Sequence, residues 1–179
     1  MSSVIILGSS RSDGNTAKLV AQFSTQISAE VVDLSSYNIL PYDYEFQNQN
    51  DDFLPLIDRL LTFDRLILAS PVYWYSPSGT MKVFLDRLCD LLDIYKPRGR
   101  ALKNKTVAVL ATGSALSVPD CFEQIFSNTF EYLDMSFQGL FYSPSSEVGN
   151  LASQIKYMDE FIQQCFYQTQ KTLSVEHRS

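Results

Sequence analysis

Apolar runs alternate with helical periodicities along this chain. Val4, Ile5, Ile6 and Leu7 are consecutive, so residues 3–8 read as a buried strand. Thr16, Val20, Phe23 and Ile27 then recur at helical spacing. Residues 30–34 form a second expected strand, 52–63 a second helix and 64–70 a third strand. Residues 77–93 predict one long helix, because Met81, Leu85, Leu88 and Leu92 share a face. Residues 105–111 are a fourth strand. Ser117, Pro119 and Asp120 mark a helix start ahead of Phe122, Phe126 and Leu133. Residues 135–141 are a fifth strand, less apolar than the rest. Leu151, Ile155, Met158, Ile162 and Cys165 line a closing helix.

Five successive βα units imply an α/β fold: a five-stranded parallel sheet with helices on both faces. Right-handed crossovers and the strand count give the order 2-1-3-4-5. In such sheets ligands bind outside the carboxyl ends of the strands where the order reverses. That rule selects the loops after Leu7, Ala69 and Ala111.

The chain has 179 residues, 45% of them hydrophobic, enough to bury a core in one domain. Residues 1–170 are expected to form that domain, with 171–179 a flexible tail. Twenty acidic against fourteen basic side chains leave a charge of −6, which argues against a nucleic-acid partner. The first residues lack a basic region followed by a long apolar stretch, so neither a signal peptide nor a membrane span is expected. Cys89, Cys121 and Cys165 are far apart and odd in number, with no metal-ligand spacing. They read as small buried hydrophobes in a protein of the reducing cytoplasm.

The first selected loop, Gly8-Ser9-Ser10-Arg11-Ser12-Asp13-Gly14-Asn15-Thr16, joins a strand to a helix. Its glycines free backbone N–H groups to turn inward, its hydroxyls add donors, and the helix N-terminus favours an anion. That chemistry suits a phosphate, although a plain polar turn is the simpler alternative. The sequence has no G-x-x-x-x-G-K-[ST] and no G-x-G-x-x-G, and the loop holds no cysteine for a phosphatase. The second loop contains Pro71, Val72, Tyr73, Trp74 and Tyr75, with the sole tryptophan. A flat ligand needs apolar contact on its face and hydrogen bonds at its edge. Packing into the core or a subunit interface is the competing role for these aromatics. The third loop, Thr112-Gly113-Ser114, offers donors to the pyrimidine edge of a flavin, which gains negative charge on reduction.

These segments carry a resemblance. Residues 8–16 and 70–87, with Ala111-Thr112-Gly113, are similar to the NAD(P)H-dependent FMN reductase family of flavodoxin-like proteins. The resemblance implies noncovalent FMN, a reduced nicotinamide as donor, and a homodimer or homotetramer. It matches Ser9, Arg11, Ser12, Gly14, Asn15 and Thr16 to the phosphate loop. It matches Pro71, Val72, Tyr73 and Trp74 to the isoalloxazine loop, and Thr112, Gly113 and Ser114 to the third contact. Iron–sulfur flavoproteins are related, but residues 36–46 lack their cysteine motif, so no cluster is expected.

The implied activity is electron transfer from NADH or NADPH to a small acceptor such as a quinone, free flavin, nitro or azo compound. It needs no catalytic acid or nucleophile, and the sole histidine, His177, lies in the tail. Two rivals remain: a flavodoxin-type carrier reduced by a partner protein, and a cofactor-free interaction domain on the same fold. Arg11 has two readings, a contact to the extra phosphate of NADPH or a surface balance to Asp13. Lys82 and Asp86 read as an exposed helical ion pair. Residues 37–51, rich in Tyr, Asn and Gln, are open between a lid, a subunit interface and simple packing.

Overall fold

The computed structural model describes residues 1–146 and 151–167. The expected tail, its boundary at residue 170 and His177 lie outside the described residues. The elements are β1 (Ser3–Leu7), α1 (Asn15–Ile27), β2 (Glu30–Asp33), α2 (Phe53–Leu60), β3 (Arg65–Tyr73), β4 (Ser76–Pro77) and α3 (Gly79–Arg87). They continue as α4 (Asp90–Asp93), α5 (Lys96–Leu102), β5 (Thr106–Gly113), α6 (Asp120–Tyr132), β6 (Ser136–Pro144) and α7 (Leu151–Ile162).

The parallel strands run in the order β2-β1-β3-β5-β6, with the two-residue β4 paired antiparallel to the end of β3. Leaving β4 aside, this is the order 2-1-3-4-5. Ile5 lies between Val31 and Ile67, and Ile67 in turn beside Ala108. Successive side chains alternate between faces. Ile6, Leu68 and Val109 meet Phe53, Phe84, Phe122 and Phe126 from α2, α3 and α6. Ile5, Ile67 and Leu110 meet Leu19 and Phe23 of α1 and Met158 and Ile162 of α7. Burying each such side chain contributes roughly 1.5–3 kcal/mol.

The structure departs from the sequence expectation in four places. β3, β5 and β6 extend beyond their apolar runs, so Pro71, Thr112 and Ser143 are strand residues paired across the sheet. The helix expected over residues 77–93 is broken. Around Leu88 the N–H groups of Leu88, Cys89, Leu91 and Leu92 bond three residues back, which ends α3 and restarts the chain as α4. α5 was not expected, since Lys96-Pro97-Arg98-Gly99-Arg100 has no apolar period; a Cβ at Gly99 would overlap the Leu91 carbonyl, so glycine lets α5 pack on α4. Of the cysteines expected to be buried, Cys165 is buried, Cys89 half-buried and Cys121 exposed at the start of α6.

Candidate functional site

β1 ends on Gly8, whose N–H continues the ladder to the Ala69 carbonyl at 2.8 Å. A Cβ there would lie 2.7 Å from Met81 Cβ, so α3 packs directly on this backbone. The loop reaches α1 through Gly14, the N-cap residue, which has extended backbone and no side chain to cap with. The first turn of α1 also carries no acidic residue. Its leading N–H groups have no intrahelical acceptor, so the positive end of a 13-residue helix is left open to an anion. α3 starts differently. Ser78 Oγ accepts from Met81 N–H at 3.1 Å and donates to the Gly8 carbonyl, which closes that helix end internally.

Within the first loop, Ser9 is buried and its Oγ accepts from Arg11 N–H at 3.3 Å. Arg11 is exposed, with Nε 3.3 Å from Asp13 Oδ1. The third segment closes on the first through Thr16 and Thr112, whose Oγ1 atoms are 2.7 Å apart. A Cβ at Gly113 would meet Tyr142 Oη at 2.7 Å. Burial pushes the Tyr142 phenol above its ordinary pKa, keeping it a donor to the Ala115 carbonyl at 2.8 Å.

The second segment leaves β3 through a two-residue hairpin loop. Trp74 and Tyr75 have φ of +48° and +66°, a pattern of type I′ turns that Asn-Gly ordinarily fills. Left-handed backbone at a residue with a Cβ costs roughly 1–2 kcal/mol. Trp74 is 92% exposed, and Tyr73 and Tyr75 are also exposed.

A crevice of about 290 Å³ opens between these segments. Ser9, Arg11, Gly14, Asn15 and Thr16 line it from the first, Pro71, Val72 and Tyr73 from the second, and Thr112, Gly113 and Ser114 from the third. Ser12 and Trp74, also expected at the site, are not among its lining residues; Ser12 faces solvent and Trp74 projects outward on the hairpin. Ser145 is an addition. It follows β6, and its N–H donates to the Gly113 carbonyl at 2.7 Å. Its only signal in the sequence was its place just past the carboxyl end of the last strand.

The donor set fits FMN. Open helix N–H groups and hydroxyls beside α1 suit a phosphate, Val72 and Tyr73 give an apolar wall, and residues 112–114 bring backbone and hydroxyl groups along the wall that adjoins Thr16.

The 37–51 segment is held by a separate polar cluster. Arg87, buried beneath it, donates to Asp90 Oδ2 at 2.8 Å, to the carbonyls of Leu40 at 2.9 Å and Asn48 at 2.8 Å, and to Asp51. Its guanidinium also lies 4.6 Å from the Phe53 ring centroid. Burial pushes the Asp51 carboxyl upward, but hydrogen bonds from Arg87 and from Leu40 and Phe53 N–H outweigh this and hold its pKa below the usual carboxylate range. Tyr42, Tyr44 and Phe46 pack on one another, with centroids 5.1 and 6.2 Å from Tyr42.

Fold and crevice together define a flavodoxin-like α/β protein whose crevice has the chemistry to suit a phosphorylated, planar ligand. Residues 1–142 match the family described as NADPH-dependent FMN reductase, and the chain belongs to that family. It is 31% identical over 165 residues to YwqN of Bacillus subtilis (strain 168), described as an NAD(P)H-dependent FMN-containing oxidoreductase; the match covers 84% of this chain and 89% of that one. The solved Trp repressor binding protein from Bacillus subtilis matches with a TM-score of 0.72 and 25% identity, covering 93% of this chain and 99% of that chain. General stress protein 14 from Treponema denticola, solved in complex with FMN, shares the fold with a TM-score of 0.67 and 19% identity, covering 90% and 99%. The protein is therefore an oxidoreductase with FMN as cofactor and NAD(P)H as co-substrate. Among the described residues, no helix is long and apolar enough to cross a membrane.

Proposed function

We propose that the crevice beside α1 holds the FMN, and that the enzyme passes electrons from NAD(P)H to a planar small molecule such as a quinone, free flavin, nitro or azo compound. The observation that carries this reading is convergence: three segments distant in sequence meet around one crevice, next to a helix start left uncapped. Ser9, Gly14, Asn15 and Thr16 take the phosphate, with Arg11 at the mouth. Pro71, Val72 and Tyr73 flank the ring, and Thr112, Gly113 and Ser114 form the adjoining wall, running from Thr16 toward the polar edge of the ring. Ser12 and Trp74 stand outside the crevice lining and act from its rim.

FMN, when bound, supplies the chemistry that accepts a hydride from NAD(P)H and releases electrons to the acceptor. The chain itself binds, orients and excludes water, and needs no nucleophile. The exposed rings of Tyr73, Trp74 and Tyr75 favour flat acceptors. We further propose that the chain forms one domain, works in a cytoplasmic setting, and assembles as a homodimer or homotetramer. Exposed Leu116 and Tyr132 offer apolar surface for such assembly.

The test is the absorbance spectrum of protein reconstituted with FMN, followed by titration with NADH and NADPH. Bleaching without a partner protein, and recovery on adding a quinone, are expected. Flavin that stays oxidised would favour a carrier reduced by a partner. Protein that stays colourless, with no FMN-dependent rise in melting temperature, would favour a cofactor-free domain.

A further inference from the structure

One buried polar contact joins two walls of the crevice. Thr16, in the first turn of α1, and Thr112, near the end of β5, are 96 residues apart, yet their Oγ1 atoms lie at 2.7 Å. Each residue is only 2% exposed, and each lines the crevice. A hydroxyl has one proton and two lone pairs. In a hydroxyl pair one proton is spent on the partner and the other is spare. Among the described residues neither hydroxyl has another hydrogen-bond partner. A spare proton left buried without an acceptor is unfavourable, so it belongs to whatever fills the crevice.

We propose that Thr16 and Thr112 form a directional hydroxyl relay, set by the ligand's phosphate, that makes Thr112 a specificity-determining residue for phosphorylated flavin. The inference rests on the FMN reading above. A phosphate oxygen accepts and does not donate, so at the open start of α1 it draws the Thr16 proton. Thr16 then accepts from Thr112. Thr112 has spent its proton and turns only lone pairs to the crevice. It therefore accepts an O–H from the part of the ligand next to the phosphate, a ribityl hydroxyl. Without a phosphate the pair can point either way, and Thr112 is free to donate instead. The phosphate thus decides, through one hydroxyl, which ligand groups Thr112 accommodates.

The test is a double-mutant cycle on the full chain, Thr16→Val, Thr112→Val and both together. FMN and riboflavin binding to the apoprotein are titrated by flavin fluorescence in buffer free of phosphate and sulfate. Valine keeps the volume, and melting temperatures of the apoproteins check folding. Thr112→Val is expected to weaken FMN about tenfold, the size of a lost hydrogen bond in a charge-assisted chain. The double variant should lose clearly less than the product of the two single losses. For riboflavin the losses should simply multiply. Thr112→Ser, which keeps the hydroxyl, should restore the FMN preference. Multiplicative losses with FMN, or equal coupling with both flavins, would overturn the relay while leaving FMN binding intact. A wild-type chain that binds neither flavin would overturn the FMN reading, and the relay with it.

Discussion

Two polar clusters are built into this protein, and they end in opposite ways. Around Arg87 four hydrogen bonds and an aromatic face are supplied from within the chain. Around the start of α1 the chain withholds what would close the site: the cap is a glycine, the first turn has no carboxylate, and a hydroxyl pair keeps one proton spare. The first cluster is complete and acts as structure. The second leaves donors open, which on the proposed function a ligand completes. Buried polarity by itself does not separate the two; the count of unmatched donors does.

Arg87→Ala should give the largest effect. It leaves Asp51 and Asp90 buried without their cation, and breaking such a pair costs roughly 3–5 kcal/mol. Chemical denaturation followed by circular dichroism measures it. FMN affinity of the protein that remains folded should change little; a matching loss of affinity would erase the contrast. Gly14→Asp should have the reverse signature. The backbone there is already extended, and the nearest neighbour of a Cβ is Arg11 Cβ at 3.4 Å, so the side chain fits. The carboxylate would cap α1 and raise apoprotein stability by a few tenths of a kcal/mol. It would also repel phosphate and weaken FMN by on the order of tenfold.

Acid sharpens the same comparison. Asp51 is held below the usual carboxylate range, so its stabilisation is fully present above a pH of about 4 and is lost as pH falls through its folded value. Asp51→Asn should lower the melting temperature at neutrality yet flatten its decline below about pH 4. An unchanged acid limb would show that other carboxylates control it. The smallest effect belongs to Lys82→Ala. Its pair with Asp86 is half exposed on one helix face, and its removal should shift stability by less than about 0.5 kcal/mol.

The legible part of this fold was written in apolar runs. Val4–Leu7 and Leu66–Ala69 mark their strands, and the βα alternation carries the strand order. Strand ends were hidden because Pro71, Thr112 and Ser143 carry no apolar signal; sheet pairing, not side-chain hydrophobicity, keeps them extended. The crevice could be read because its residues lie at or just past the carboxyl ends of β1, β3 and β5, and Ser145 was missed because it follows the edge strand. Arg87 was illegible for a different reason. A cation on an amphipathic helix reads as surface, and its partner Asp51 lies 36 residues away. The Trp74–Tyr75 turn ran against local preference, since neither residue suits positive φ.

That turn also equips the molecule with an optical probe. Trp74 is the sole tryptophan and stands almost wholly in water beside the crevice. A hydrated indole emits at long wavelength, as it does in an unfolded chain, so native emission is nearly blind to denaturation. An oxidised flavin a few ångströms to nanometres away absorbs in that emission range and dims it by energy transfer. The residue that says least about unfolding is therefore the one that reports cofactor loading, with no label attached.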